Sequence, residues 1–580
     1  MKKLSFLLAI VLLASSFLMT ACKKQVPPEE PPNTTPALTT PPTVDEQPVV
    51  YASITAEQLA KYEIIYAKNS SKEVKSEVQK IPNIVFDAYD IILNQRTDLY
   101  YEGVASLAKG QYEILIGETN REESATFLAD LKWDDYGYGI VGDKLVIAGK
   151  NEDGTLKALR AFLEHIEGNT GEVFFTNQNQ LLVQKQYPYS NITINGISAS
   201  DLAILCNQQE LGGVAQIIRD AIIEACGIAV PIVTDNPAED SIKNKIVIGH
   251  TDMIIIDEAP DDIAYPTGKE FYISMLAGGI FVDANTMAGY YSAAAYIVTY
   301  ISPDCKGGDV VVLEQGKHIG EDALPVMSFN LMAMGRFDAQ RADNVIQIIR
   351  QYRPSIVGVQ EADDNWINAL TQELGDLYTI VGEGRNDDGS GEHSAILYLT
   401  EGFDCLESGT KWLSYTPDTP GSKLADSHYT RIMTYVHLVR KSDGKEFLHV
   451  NTHLDYGTTF EEELTKREQM RILLAEIEKF AGIPTILTGD FNATADSLVY
   501  RKIINNGYTD ACNLPAEQRP YTYHGLMGTT GEESHIDYIF AKDISVMQNS
   551  YRVCTERVEN ANVSDHYPIF AILTFKQSGK

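Results

Sequence analysis

Apolar and polar positions fall into blocks along the C-terminal half of the chain, where short apolar runs typical of buried strands lead directly into polar residues. The run at residues 483–487 leads into Gly489, Asp490 and Asn492. Because alternate residues of an extended chain point to the same side, Asp490 and Asn492 place two oxygen-bearing groups together at a strand end. Such oxygens suit a hard divalent cation, but Gly-Asp-Phe-Asn is also favourable turn chemistry. This stretch alone leaves both interpretations open.

Five other apolar runs of this half also end in polar clusters. Residues 338–352 have apolar positions three and four apart, which predicts a helix between two of the runs, and further helices are predicted over 365–374 and 460–480. One acidic residue at a strand end is common and needs no function, whereas six such clusters are hard to explain by packing. The five further clusters contain, in chain order, Asn330, Glu361, His453, Asp537, and the pair Asp565 and His566.

The N-terminal half shows one pattern of apolar and glycine positions twice. Residues 112–117 read Tyr-Glu-Ile-Leu-Ile-Gly and residues 245–249 read Lys-Ile-Val-Ile-Gly, and each is followed by a strand-like run, a glycine and an amphipathic segment. Short strands with a helix that packs back on them predict two duplicated small α+β modules, at 51–190 and 191–320. The pattern resembles the non-catalytic N-terminal domain of some bacterial glycoside hydrolases. This resemblance implies a spacing or binding role, with a surface glycan as a candidate partner.

The first residues of the chain have the three regions of an export signal. Two lysines precede an apolar run at residues 4–18, and small residues follow before Cys22. The run is too short to span a bilayer. The arrangement resembles a bacterial lipoprotein signal at 1–22, which implies lipidation of Cys22 and anchorage at the outer face of the membrane; the alternative is an ordinary cleaved signal. Residues 23–50, crowded with Pro, Thr and Glu, predict a disordered tether.

Charge and cysteine content narrow the classes of partner. The formal net charge is −33, which opposes any passive electrostatic grip on nucleic acid or anionic lipid, although a local cluster of Arg431, Arg440 and Lys441 would offset it. The seven cysteines are scattered without the C-x-x-C spacing of a zinc or redox site.

The polar clusters, in their order along the chain, resemble the endonuclease/exonuclease/phosphatase superfamily. The resemblance spans residues 326–575 and leads us to expect a domain at 321–580. It implies an α/β fold in which the C-terminal part is a four-layered sandwich of two mixed β-sheets flanked by helices, so that the strand ends meet at one rim.

The resemblance also implies a metal site made of oxygen ligands. Glu361, with Asn330 nearby, resembles the principal magnesium ligand of the family. Asp490, Asn492 and Asp565 resemble the group that positions the attacking water, holds the phosphate and serves a second metal position. Mg²⁺ is the expected cofactor, with Mn²⁺ or Ca²⁺ as alternatives, because carboxylate and amide oxygens suit hard cations.

A second set of residues resembles the family's acid–base machinery. Asp537 resembles the carboxylate that orients His566, His453 resembles the histidine that contacts the phosphate, and Glu392 matches a supporting position. A carboxylate–histidine pair fixes the imidazole tautomer and raises its basicity, so the imidazole assists water or stabilises the transition state. Asp490 is left to orient or deprotonate the water.

These expectations describe a surface-anchored Mg²⁺-dependent phosphoesterase that hydrolyses phosphodiesters or phosphomonoesters by in-line attack of water. An extracellular nuclease and a non-catalytic glycan-binding lipoprotein are the alternatives. The predicted substrate is a lipid head group, a sugar phosphate or nucleic acid, and the predicted state is a monomer.

Overall fold

The strands and helices of the C-terminal half build two sheets and the layers that cover them. The computed structural model describes residues 52–99, 109–233, 243–249, 269–276, 278–301, 308–320, 323–332, 337–525, 533–558 and 562–575. Within these ranges each helix is too short or too polar to cross a membrane.

The first N-terminal region is a six-stranded sheet, order β3-β2-β4-β6-β5-β8, with the small pair β1 and β7 beside it. Its strands are β1 (Ser53–Thr55), β2 (Glu63–Tyr66), β3 (Asn94–Thr97), β4 (Glu113–Ile116), β5 (Tyr136–Val141), β6 (Lys144–Gly149), β7 (Val173–Thr176) and β8 (Leu181–Val183). Its helices are α1 (Ala56–Leu59), α2 (Lys72–Val78), α3 (Lys80–Tyr89), α4 (Glu122–Leu128) and α5 (Glu152–Ile166).

The second N-terminal region has a sheet of order β12-β11-β13-β15-β14-β17. Its strands are β9 (Thr193–Ile194), β10 (Ile197–Ser198), β11 (Ala203–Cys206), β12 (Ile232–Val233), β13 (Lys245–Ile248), β14 (Glu270–Leu276), β15 (Gly279–Ala284), β16 (Val310–Val311) and β17 (Gly316–Ile319), and its helices are α6 (Gln208–Cys226) and α7 (Met287–Ile301). In both regions the first four strands of the order run parallel and the last pairings are antiparallel. The two sheets therefore share one topology, while their origin by duplication and the boundaries at 190 and 320 stay predictions.

The C-terminal half contains two mixed sheets, of order β20-β21-β19-β18-β30-β28 and β22-β23-β24-β25-β27-β26, with β29 paired to β30. The strands are β18 (Ala323–Asn330), β19 (Ile356–Gln360), β20 (Tyr378–Val381), β21 (Ile396–Leu399), β22 (Phe403–Trp412), β23 (Ile432–Arg440), β24 (Glu446–His453), β25 (Thr485–Asp490), β26 (Thr509–Asp510), β27 (Asp537–Lys542), β28 (Ile544–Val546), β29 (Arg552–Val553) and β30 (Ile569–Phe575). The helices are α8 (Ala339–Tyr352), α9 (Asp364–Leu374), α10 (Phe460–Ile477) and α11 (Leu498–Asn505). Short 3₁₀ turns occupy Asn177–Asn179, Ala199–Asp201, Glu478–Phe480 and Ala516–Gln518.

An apolar layer joins the two C-terminal sheets face to face. Val326 and Ile356 of the first sheet and Ile486 and Ile539 of the second are fully buried in one cluster. Helices α8 and α9 cover the outer face of the first sheet, and α10 and α11 cover that of the second. The four-layered sandwich is thus confirmed. The strands carry apolar residues on both faces because each sheet is covered on both sides.

Helix α8 shows how the local sequence sets an element. Asp338 caps its start by accepting from the backbone N–H of Arg341, and its buried positions include Ala342, Val345 and Ile349. The helix ends before Arg353, whose φ of 39° leaves the right-handed region. The predicted helix is therefore confirmed over almost its whole length.

The second N-terminal region packs on this outer layer, and the apolar core is continuous between them. The ring of Tyr291 on α7 lies 5.3 Å from that of Phe570 on β30, and its hydroxyl donates to the carbonyl of Tyr352. Arg552 of β29 forms a 2.7 Å ion pair with Asp220 of α6. The C-terminal sandwich therefore has an N-terminal neighbour bound by both apolar and ionic contacts.

Candidate active site

The polar clusters meet at one rim of the sandwich because of the strand directions. Strands β18, β19, β24 and β25 end there, while β27 and β30 run antiparallel to their neighbours and begin there. The rim opens on a cavity of about 1320 Å³. Predicted site residues that line this cavity are Glu361, Glu392, His453, Asp490, Asn492, Asp565 and His566. Asn330 and Asp537 lie buried directly behind them, and Cys22 lies outside the described residues.

Asn330 holds two of the carboxylates together. Its side-chain amide donates to Glu361 Oε1 at 3.1 Å and to Asp490 Oδ2 at 3.0 Å, and its amide oxygen accepts from the backbone N–H of Met332 at 3.0 Å. Asn330 therefore positions the carboxylates of Glu361 and Asp490, and its role as a metal ligand stays a prediction. Glu361 itself has a φ of 55°. A bulky residue in the left-handed region is uncommon, and such strain concentrates at functional sites.

A buried carboxylate–histidine pair stands beside these carboxylates. His566 Nδ1 donates to Asp537 Oδ2 at 2.8 Å, and His566 Nε2 lies 3.7 Å from Asp490 Oδ2. Burial alone would lower the pKa of His566, but the charge and hydrogen bond of Asp537, followed by the charges of Asp490 and Asp565, raise it to about 10. Burial and the charge of Asp537 raise the pKa of Asp490 to about 7. The cluster therefore places a cationic imidazole next to a carboxyl group that titrates near neutral pH.

His453 enters the site in its neutral form. Burial, followed by the charges of Arg431, His566 and Arg385, holds its pKa well below the usual range. The Asn492 amide nitrogen lies 3.0 Å from His453 Nε2 and also donates to the carbonyl of Leu454 at 3.1 Å. His453 Nε2 also lies 3.5 Å from Asp490 Oδ2, so the imidazole stands between the Asn492 amide and a carboxylate of the site. The predicted contact of His453 with the phosphate stays a prediction.

The amino-acid sequence of this part of the chain matches a known family. Residues 327–566 match the model of the Endonuclease/Exonuclease/phosphatase family. This part of the chain belongs to that family. It is accordingly a hydrolase that acts on phosphoester bonds. No curated protein sequence matches the chain.

Solved structures of this family resemble the C-terminal part of the chain. The endonuclease/exonuclease/phosphatase of Bacteroides vulgatus is 30% identical, with 44% of this chain and 99% of that chain covered and a TM-score of 0.39. The mannosyl-6-phosphatase of Bacteroides thetaiotaomicron is 29% identical over 43% of this chain and all of that one, with a TM-score of 0.37. A functionally unknown protein of Enterococcus faecalis is 26% identical, with coverages of 43% and 100% and a TM-score of 0.39.

The family site fits a metal ion through the chemistry of its donors. Glu361, Asp490 and Asp565 face one cavity, and Glu361 raises the pKa of both aspartates, after burial as the main cause. Neighbouring carboxylates in a buried site repel each other, and a bound cation offsets that repulsion. Asp490, Asp537 and His566 also bring ligand atoms within 4.8 Å of one another. Among the described residues, this buried group of two aspartates and a histidine could therefore hold a metal ion.

Sequence reasoning missed an arginine pair at this rim. Arg385 donates to Glu392 at 2.5 Å, and the supporting role of Glu392 stays a prediction. Arg431 lies beside Arg385 on the cavity wall. The predicted basic cluster of Arg431 with Arg440 and Lys441 is wrong, because β23 separates Arg431 from Arg440 by roughly 30 Å at about 3.3 Å per residue. Arg385 and Glu392 are seven positions apart, and the loop between them gave no periodic signal.

Two buried amides join the sheets beneath the site. Gln360 Nε2 donates to Asn451 Oδ1 at 2.7 Å, and Asn451 Nδ2 donates to the carbonyl of Val359 at 2.8 Å. Gln360 is the last residue of β19, directly before Glu361, and Asn451 lies two residues before His453. The hydrogen bonds therefore tie the strand that carries Glu361 to the strand that carries His453, which keeps groups from different sheets in register.

Proposed function

We propose that this protein is a Mg²⁺-dependent phosphoesterase that transfers the phosphoryl group of a small or lipid-linked ester to water. The observation that carries the proposal is the convergence on one cavity of Glu361, Asp490 and Asp565 with the Asp537–His566 pair. When bound, the cation neutralises charge on the phosphoryl oxygens. The all-oxygen donor set favours Mg²⁺ over metals that prefer thiolates, with Mn²⁺ and Ca²⁺ as alternatives.

The protein's own groups supply the acid–base chemistry. Asp490 orients the attacking water and takes its proton as the new P–O bond forms. His566, held as a cation by Asp537, donates from Nε2 to a phosphoryl oxygen and stabilises the developing charge. The ester P–O bond breaks on the opposite side, and the leaving alkoxide takes a proton from solvent. No covalent intermediate is required.

The proposal extends to location and to substrate. The export signal before Cys22 supports lipidation of that residue and anchorage at the outer face of a bacterial membrane, with residues 23–50 as the tether. The N-terminal modules would then either bind a surface glycan or act as a spacer for the catalytic domain. The net charge of −33 supports lipid head groups and sugar phosphates over nucleic acid, because a polyanion is repelled except near bound cations.

Activity assays with and without metal test this proposal. Purified protein, freed of metal with EDTA, is supplied with Mg²⁺ and given a sugar phosphate, a phospholipid and plasmid DNA. We expect release of phosphate or head group that depends on Mg²⁺, and a weaker Mg²⁺ response in Glu361→Gln than in the control Glu446→Gln, whose carboxylate is half exposed at the far end of β24. Undiminished hydrolysis in excess EDTA would refute the metal dependence. If DNA were the only substrate degraded in the presence of Mg²⁺, the proposed preference for small or lipid-linked esters over nucleic acid would be reversed.

A further inference from the structure

A small side cavity adjoins the main one beside Glu361. Its volume is about 10 Å³, and it shares Glu361, Arg385, Glu392, Arg431 and His453 with the wall of the main cavity. A space of this size holds one water-sized sphere, because about 10–15 Å³ by this measure is the room that a single water needs. One oxygen atom is therefore enough to fill the side cavity.

Arg431 is a buried cation on the wall of the side cavity. Its side chain is 6% exposed, and its Nε makes no hydrogen bond among the described residues. Asp455 Oδ1 lies 3.6 Å from that Nε, while Asp455 Oδ2 accepts from Ser427 and from the backbone N–H of His428. A buried charge without a close partner is costly, and an anion in the adjoining cavity would stabilise the Arg431 guanidinium.

Arg385 adds a second positive charge at the same wall. The guanidinium carbons of Arg385 and Arg431 lie 5.0 Å and 5.4 Å from the centre of the Tyr429 ring. Burial first, and then the like charge of Arg385, lowers the pKa of Arg431. Arg385 pairs with Glu392 at 2.5 Å, whereas Arg431 lies 3.6 Å from Asp455 and is also acted on by the charges of Glu392 and Asp490. The pair is therefore arranged to hold an anion, and Tyr429 keeps the two guanidinium groups in place.

We propose that the side cavity binds an unesterified phosphoryl oxygen, with Arg431 and Arg385 as its ligands, and that the enzyme is therefore specific for phosphomonoesters. This inference rests on the proposed phosphoesterase function. In-line attack leaves three oxygens around the phosphorus. His566 Nε2 and the arginine pair would each hold one, and a cation held by the carboxylates would offset negative charge on the phosphoryl group. In a diester one of these three oxygens carries carbon. The leaving group extends into the large cavity, and the two guanidinium groups favour the dianion of a monoester over the single charge of a diester.

The test compares two esters that share one leaving group. p-Nitrophenyl phosphate and methyl p-nitrophenyl phosphate are offered to the full-length protein with Mg²⁺. We expect kcat/KM for the monoester to exceed that for the diester by about 100-fold or more. Arg431→Gln should lower kcat/KM for the monoester by about 100-fold, the usual cost of one charge-stabilising donor, and change that for the diester less than about 3-fold. Arg431→Lys should recover only part of the loss, because an ammonium lacks the planar fork.

The control is Arg440→Gln, which removes an arginine paired with Asp443 at the opposite end of β23 and should leave both rates unchanged. A diester rate equal to or above the monoester rate, or equal losses on both esters in Arg431→Gln, would overturn the inference while leaving the phosphoesterase intact. Absence of Mg²⁺-dependent hydrolysis of either ester would instead refute the proposed function. Binding of inorganic phosphate, measured by calorimetry, gives a readout without turnover: it should weaken at least about 10-fold in Arg431→Gln, and unchanged binding would count against the site.

Discussion

Asp537 and His566 are expected to act as one catalytic unit, and Asp537→Asn tests this directly. Asp537 is 1% exposed and His566 is 5% exposed, so water does not replace the lost charge. The substitution keeps the size of the side chain and removes the negative charge 2.8 Å from His566 Nδ1. The imidazolium then loses its strongest support, and the amide group can turn its N–H toward the ring and impose the wrong tautomer.

The size of the effect follows from the role of the pair. A positioned acid–base group contributes about 10² to 10⁴ in rate, so we expect kcat of Asp537→Asn to fall by at least about 100-fold. A factor of 100 corresponds to about 2.7 kcal/mol, at about 1.36 kcal/mol for each tenfold step. If the two residues work as a unit, Asp537→Asn made in the background of His566→Gln costs almost nothing further. The coupling free energy of the double-mutant cycle should then be about 2.7 kcal/mol.

The assay measures kcat for wild type, both single variants and the double variant at saturating substrate and Mg²⁺. Asp443→Asn, a partly exposed carboxylate far from the cavity, is the matched control. Because Asp537 is the main group that raises the pKa of His566 against the effect of burial, its loss lowers that pKa from about 10. The charged imidazole is lost as pH rises through its pKa, so the alkaline decline of activity should move to lower pH in Asp537→Asn. Losses in the double variant equal to the product of the single losses would show that the pairing is not functional.

Three further predictions concern stability and location. Burial lowers the pKa of His449 to about 3, so below pH 6.5 the unfolded chain binds the proton preferentially and the free energy of unfolding falls by up to about 1.4 kcal/mol per pH unit. His449→Gln should therefore flatten the dependence of the urea midpoint on pH between 6.5 and 4. An unchanged slope would contradict this. A Cβ at Gly358 would overlap the side chains of Thr488 and Asn451 between the sheets, so Gly358→Ala should lower the free energy of unfolding by about 1–3 kcal/mol. A urea unfolding midpoint equal to that of wild type would disprove the overlap. Wild-type protein expressed in bacteria should partition into detergent and Cys22→Ala should not, while partitioning that survives the change would exclude the lipid anchor.

Local sequence signals were sufficient to predict helices of the catalytic half. The helix predicted at 338–352 is found at Ala339–Tyr352, and the helix predicted at 460–480 is found at Phe460–Ile477 with a 3₁₀ turn over the last three residues. Helix caps and apolar spacing act within one or two helical turns, so the local sequence is enough to predict them. The order of polar clusters was also readable, and through the family resemblance it predicted which side chains would meet at the rim.

Atomic roles at the rim depended on contacts between distant segments. Asn330 hydrogen-bonds to Glu361 and Asp490, which lie 31 and 160 positions away, and only the tertiary structure brings these three side chains together. Arg431 looked like part of a basic cluster with Arg440, yet an extended strand carries the two to opposite ends of a sheet.

The sequence by itself therefore determined the helices and strands through local periodicity, and the order of its polar clusters, through the family resemblance, indicated the class of fold and the kind of bond attacked. The tertiary structure decided which atom of each group faces the cavity, how far burial shifts the pKa of His566 and Asp490, and that Arg431 faces a side cavity the size of one oxygen. These properties arise from distances and solvent exclusion among residues far apart in the chain, and no local pattern encodes them.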